Sequence, residues 1–414
     1  VEEKMVNENL KNMSIEEKIG QKLIIGFDTN KDILSKIEYC IKNYKIGGVL
    51  LYKKNYKNCE DLIEKVQKIK EINKKYSKIP IFISIDQEGG RVNRLPPEIE
   101  KLPSSYELAN IEKSINSKKI SNLNLKNAQK LGNPEDMQDM QNMEFITNGR
   151  DENIVSKAAD VTSKILKDLG INMNFAPVLD IKKFSENHAI GDRAFSSNKE
   201  EVAKFGILEM KKMQENGIIS VIKHFPGHGA TKIDSHFALP IVKHKNGIMN
   251  SDDIVPFKKA IENGADTLLV GHLLIRKLTG MYPSTMSKKI VNILRKDLQF
   301  KGVIITDDMR MKSVKILYGK YRAIKKSFLA GNDIIMVKFI ENDKIYNKLK
   351  KLVEKKKIEE RELNLSVERI IELKNKYNIS DDITLNKTID IEEYNTIIRK
   401  IKKAEIWIKR ERNI

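Results

Sequence analysis

Cysteine is scarce: Cys40 and Cys59 are the only two in 414 residues, and they form no C-x-x-C pair. A disulfide framework and a structural zinc cluster are therefore not expected. Long apolar runs are lacking as well. No stretch approaches the roughly 18 consecutive apolar residues of a membrane span, so an integral membrane segment is not expected. Aromatics make up only 6% of the chain, with a single Trp. Nucleic-acid binders usually interleave aromatics with a basic stripe, so nucleic acid is not an expected partner. There is also no G-x-G-x-x-G opening a helix after the first apolar run, which argues against a dinucleotide-binding sheet.

What is present in excess is positive charge. Lys and Arg total 76 against 57 Asp and Glu, a net +19. Such a balance would attract nucleic acid, an anionic membrane or an acidic glycan, but the lysines look scattered along the sequence and read as solvated helix faces. With 40% apolar and 32% charged residues, the chain has the composition of a globular protein with a large core. It begins at Val1, which fits a form from which a leader has been removed, so the cytoplasm and the cell wall both remain open.

Short β-branched runs alternate with longer amphipathic segments. Strands are expected at 23–27, 48–52, 80–86, 172–178, 220–225, 267–271, 302–306 and 333–337. Helices are expected between them, for example over 31–43, 59–74, 153–169, 199–216, 253–263 and 288–298. Ser14 with Glu17 forms a capping-box pattern ahead of the first strand. Eight strands alternating with helices predict an α/β chain folded as a single (β/α)8 barrel over 10–378. A polar, weakly periodic insertion at about 110–150 and a helical tail at 379–414 complete the expected organisation.

Polar residues fall where these strands end. Asp86 ends the third, Asp180 follows the fourth, Lys223 and His224 end the fifth, His272 follows the sixth and Asp307 the seventh. In a barrel these ends open on one face, where barrel enzymes keep their active sites.

The densest segment runs from Lys223 to His236, and four of the six histidines lie between 224 and 244. A metal site built from His224, His228, Asp234 and His236 is one reading, but the spacing matches no helical zinc motif and Lys223 would sit beside the ion. A turn whose histidines bond only to backbone is another. The preferred reading pairs Asp234 and His236 as an acid/base dyad. Residues i and i+2 of an extended loop point the same way, and a carboxylate can orient and charge the ring. Gly227 and Gly229 would let this loop move over a substrate. At the seventh strand, Asp307 is a candidate nucleophile, metal ligand or helix cap, with Asp308 directed to the following helix. The Asp86–Arg91 and Gly191–Arg193 segments add polar groups of the kind that bind sugar hydroxyls.

Several of these segments together resemble glycoside hydrolase family 3, in its β-N-acetylglucosaminidase (NagZ-type) branch. They are Ile19-Gly-Gln, Ile46-Gly-Gly-Val, Ser84-Ile-Asp-Gln-Glu-Gly-Gly-Arg91, Asn174-Phe-Ala-Pro-Val-Leu-Asp180, Gly191-Asp-Arg-Ala-Phe-Ser196, Lys223-His-Phe-Pro-Gly-His-Gly229 with Asp234-Ser-His236, Pro283-Ser-Thr-Met-Ser287 and Thr306-Asp-Asp-Met309. The resemblance implies a TIM barrel and a retaining, two-step glycosidase that needs no metal or organic cofactor. It implies Asp307 as nucleophile and His236, held by Asp234, as general acid/base. Asp86, Arg193, Lys223 and His224 would hold a terminal N-acetylglucosamine, with His228 and Asp180 in support. The implied partners are N-acetylglucosamine-containing saccharides, peptidoglycan-derived among them. Two departures stand out: the insertion at 110–150, and Ala230 where this branch commonly has Asp. A phosphorylase of the same linkage and a catalytically silent glycan-binding protein are the alternatives. A β-glucosidase of the family is disfavoured, because those enzymes take their acid/base carboxylate from a further domain.

Overall fold

The computed structural model describes residues 10, 12–29, 31–116, 153–184, 187–229, 240–242, 247–339 and 343–412, with side chains up to 404. The insertion beyond Asn116, the Asp234–His236 pair and Ala230 lie outside the described residues.

Eight parallel strands form one barrel: β1 (Leu23–Gly26), β2 (Gly48–Leu50), β3 (Phe82–Ile85), β4 (Met173–Asn174), β5 (Ile219–Phe225), β6 (Thr267–Val270), β7 (Val303–Thr306) and β8 (Ile335–Lys338). Neighbours pair in sequence order, and β1 pairs with both β2 and β8. The β7–β8 seam closes through the Ile305–Ile334 bridge and the hydrogen bond from Thr306 N–H to Ile334 O at 3.0 Å. The expected strands are thus all found, and the ring is that of a (β/α)8 barrel.

Alternation along each strand divides the core in two. Ile24, Phe82, Val221, Leu269, Val303 and Ile305 point into the barrel, while Leu23, Ile83, Ile222, Leu268 and Ile304 face the surrounding helices. Those helices are α1 (Ile15–Gln21), α2 (Ile33–Tyr44), α3 (Cys59–Tyr76), α4 (Ser105–Asn116), α5 (Ile154–Asp168), α6 (Lys199–Glu215), α7 (Val255–Glu262), α8 (Lys288–Asn292), α9 (Lys312–Tyr318), α10 (Lys320–Ala330), α11 (Lys344–Glu354), α12 (Glu360–Lys376) and α13 (Ile391–Arg412). The Ser14–Glu17 capping box forms as expected and starts α1.

Strand β4 is shorter than its apolar run. Phe175 N–H still donates to Ile85 O (2.9 Å), but the Ala176 N–H turns back to Asn174 O (2.9 Å) and Pro177 has no N–H, so pairing with β5 resumes only as the Val178–Lys223 bridge. The opposite end of the barrel is closed by α12. Ile370 and Leu373 enter the inner core, and the buried Lys374 donates to Gln21 Oε1 (2.7 Å), Gly47 O (3.1 Å) and Pro80 O (2.6 Å), at the entries to β1, β2 and β3.

The tail helix α13 is docked, not free. Ile398 and Ile401 are fully buried, and Asn395 exchanges hydrogen bonds with the backbone of Glu98 and Glu100.

Candidate active site

The strands' C-terminal ends converge on one mouth, and a charged cluster lines its β3–β5 side. Its centre is Glu88, a residue the sequence marks only as part of the Asp86–Arg91 segment. Arg193 grips Glu88 with two hydrogen bonds of 2.7 Å, one to each carboxylate oxygen, and Lys223 Nζ lies 2.5 Å from Glu88 Oε1. The same Lys223 ammonium pairs with Asp86. Burial alone would raise the Glu88 carboxyl, but the adjoining Arg193 and Lys223 charges hold it well below the usual range. Glu88 is almost inaccessible, whereas the Asp86 side chain is 34% exposed. Glu88 therefore fixes the two cations, and Asp86 is the carboxylate left able to meet a ligand.

Glu88 reaches this position because the chain reverses at Gly89 (φ +88°), where a Cβ would lie 2.6 Å from Pro103 O. Arg91, expected among the sugar-binding groups, is used otherwise. It donates to Asp192 Oδ1 (2.9 Å), His188 O (2.7 Å) and Ala189 O (2.9 Å), and so pins the turn that carries Arg193.

His224 continues the cluster. Its Nδ1 is 2.7 Å from Asp180 Oδ2, and its Nε2 is 3.4 Å from Arg193 Nη2. The network assigns the proton to Nδ1, which leaves Nε2 as an acceptor toward Arg193 and the mouth. Asp180 is fully buried and also accepts from the His228 N–H at 2.5 Å. Its carboxyl is lowered from the usual value because the neighbouring His224 and the hydrogen bonds outweigh burial. Burial drives the His228 ring down to about 4, so it is neutral near neutral pH and supports rather than titrates.

The glycines flanking His228 allow close packing of the backbone. A Cβ on Gly229 would lie 1.9 Å from Ile181 O, and one on Gly227 2.6 Å from Asp253 Cβ. The root of this loop is thus closely packed, and only glycine fits at either position. Its distal part, with Asp234 and His236, lies outside the described residues.

Across the mouth, Asp307 follows β7. Its backbone N–H donates to Val270 O (2.9 Å), and its Oδ1 accepts the Asp308 N–H (2.8 Å). Asp308 turns inward and accepts the Arg310 N–H at 2.9 Å, capping the turn before α9 and not the helix itself. Burial raises its carboxyl to about 6. His272, noted from its place after β6, is fully buried between Thr285 Oγ1 and Asp308 O, each at 2.9 Å. One ring thereby ties the β6 loop and the Pro283–Ser287 segment to the loop that carries Asp307 and Asp308. Tyr52 spans the two halves of the mouth. Its phenol is raised by burial and by the carboxylates of Asp308, Asp28, Asp86 and Asp307.

The structure thus brings Asp86, Arg193, Lys223, His224 and Asp180 together with His228 behind them, and sets Asp307 on the same mouth. Glu88 and His272 are the additions. The described residues hold no group of three or more His, Cys, Asp or Glu arranged for a metal ion.

Comparison with known proteins places this geometry. Beta-hexosaminidase A of Pseudoalteromonas piscicida is 29% identical over 358 residues, 81% of this chain but 54% of its own length, so the chain spans about half of that relative. The Beta-hexosaminidase of Psychromonas ingrahamii is 30% identical over 70% of this chain and 75% of its own. A glycoside hydrolase family 3 β-N-acetylglucosaminidase from Paenibacillus sp. str. FPU-7 superposes with a TM-score of 0.80 at 27% identity, covering 95% of this chain and 69% of that one. The sequence profile described as Glycosyl hydrolase family 3 N terminal domain matches residues 14–138 and 135–373. By that match and by its barrel, the chain belongs to glycosyl hydrolase family 3.

Proposed function

We propose that the protein is a retaining exo-β-N-acetylglucosaminidase that releases terminal, non-reducing N-acetylglucosamine from cell-wall saccharides. The observation that carries this reading is the placement of Asp307 on the barrel mouth that also holds the Asp86–Lys223–Glu88–Arg193–His224–Asp180 cluster. The names of its relatives support the N-acetylhexosamine linkage.

In this mechanism the cluster grips the sugar. Asp86 accepts hydrogen bonds from hydroxyls, Lys223 and Arg193 donate, and the His224 Nε2 presents an acceptor. A ring held in this way is oriented before any bond changes. A carboxylate oxygen of Asp307 then forms a bond to the anomeric carbon as the glycosidic C–O bond breaks. The departing oxygen takes a proton from the His236 imidazolium, which Asp234 stabilises. In the second step neutral His236 takes a proton from water, and the hydroxide displaces Asp307. Most retaining glycosidases use two carboxyl groups for these roles. Here the second is a histidine, whose pKa near ~6.5 suits both donation and acceptance near neutral pH.

The test compares aryl β-N-acetylglucosaminide with aryl β-glucoside, for the parent and Asp307→Ala. Selective release from the N-acetyl substrate is expected, with a loss on the order of 10³-fold or more in the variant. Product analysis with added phosphate should give N-acetylglucosamine; formation of its 1-phosphate would make the enzyme a phosphorylase. Saccharide binding without any turnover would reduce it to a binding protein.

A further inference from the structure

The positive charge is not spread evenly. Between residues 312 and 357 the sequence holds fourteen Lys and Arg but only four Asp and Glu, which is more than half of the net +19 in 46 residues. Folding gathers it further. Arg322, Lys325 and Lys326 of α10 face Lys348 and Lys351 of α11, with Lys355 beyond, across a groove of about 670 Å³ floored by Tyr321 and Leu352. Among the described residues, none of these six cations forms an ion pair with a carboxylate, although Lys350 on the neighbouring face of α11 pairs with both Glu16 and Glu354.

A second feature adjoins the first. Met281, Ile316 and Leu317 are 70%, 67% and 59% exposed, the three highest values for large apolar side chains among the described residues. The segment carrying Met281 meets the end of α9: Tyr318, next to Leu317, donates its hydroxyl to Met281 O at 2.5 Å, and its ring sits 5.7 Å from that of Tyr282. Tyr282 in turn accepts from Arg322 (3.0 Å) and lies under Lys326 Nζ, 4.5 Å from the ring centroid. The segment carrying Met281 and the end of α9 therefore adjoin the basic groove. Exposed Arg276, Lys277, Lys312 and Lys315 border it, and α9 begins five residues after Asp307, beside the mouth.

A soluble polyanion would use the cations and leave three exposed apolar side chains unexplained. An apolar protein partner would leave the unpaired cations unexplained. A bilayer with anionic headgroups satisfies both, because cations collect at its surface while apolar side chains enter the headgroup–acyl boundary. Tyrosines at the junction suit the same depth. We infer that this face docks the protein peripherally on an anionic lipid bilayer, with Met281, Ile316 and Leu317 inserted and the Arg322–Lys355 groove over the lipid phosphates.

The experiment is co-sedimentation of the whole chain with phosphatidylcholine vesicles, with and without phosphatidylglycerol. Binding is expected only with the anionic lipid and should be lost at high salt. Met281→Ser/Ile316→Ser/Leu317→Ser keeps the charge and should lower the partition coefficient at least tenfold. Lys325→Glu/Lys326→Glu should lower it by roughly fivefold or more per lysine. Unchanged aryl-glycoside turnover or circular dichroism in each variant checks that the fold is intact. Equal binding to neutral vesicles, or no vesicle binding at all, would overturn the inference. So would a triple-serine variant that binds vesicles and heparin as the parent does, which would point to a soluble polyanion. Concentration-dependent dimers abolished by the triple variant, without vesicle binding, would assign the face to a second copy of the chain.

Discussion

Glu88 holds Lys223 and Arg193 in place, and its removal should be felt twice. Glu88→Gln leaves two buried cations short of a carboxylate, a loss on the order of 3–5 kcal/mol by analogy with broken buried ion pairs. Urea unfolding should show the stability loss, and KM should rise if Lys223 and Arg193 hold the sugar as proposed, because both lose their anchor. The pH dependence has two limbs of opposite sign. Glu88 and Asp180 are depressed in the folded state, so the stability they contribute is present above their unfolded values of 4.5 and 3.8 and is lost as pH falls below them. Glu209, buried on α6 beside Glu88 with Gln87 around a cavity of about 20 Å³, is pushed up to about 8. Its penalty is absent below 4.5, grows as pH rises and is complete above 8, where it reaches a few kcal/mol in order of magnitude. Glu209→Gln should therefore match the parent near pH 4.5 and exceed it in melting temperature at pH 8. Equal melting at both pH values would refute this placement of the proton.

At the scale of elements, the position of Asp307 depends on the joining of loops. His272 links the ends of β6 and β7 through Thr285 and the Asp308 carbonyl. His272→Ala should lower kcat on the order of 10²-fold through misplacement of Asp307, with KM changed far less. A proportionate rise in KM instead would make it a general packing defect. Much at this scale was legible in the sequence. Eight short β-branched runs marked the strands, and the helix expected over 199–216 is found as Lys199–Glu215, its start fixed by the Asn198 side chain accepting the Glu200 N–H. The polar residues after β3, β5 and β7 marked the mouth. Glu88 was less legible as a site residue, because its role depends on a glycine turn folding it beneath two cations from other strands. The basic groove escaped for a related reason. Lys325, Lys326, Lys348 and Lys351 look scattered along the chain and converge only when α10 and α11 become neighbours on the barrel wall.

For the whole molecule, the helix α13 is structural. The last described helix packs on α4 and α5, with Ile398 and Ile401 fully buried against them. Ile398→Ala should cost roughly 2–5 kcal/mol, read as a lower melting temperature, with turnover at moderate temperature retained. The floor of the barrel has a further consequence. Lys374 supplies the donor for acceptors at residues 21, 47 and 80, some three hundred positions earlier in the chain. A nascent chain halted after its first three strands carries those acceptors with nothing to meet them, and its inner core lacks Ile370 and Leu373. The first strands therefore wait on the ribosome until α12 has been made, and the barrel acquires its native floor only after all eight strands have been translated.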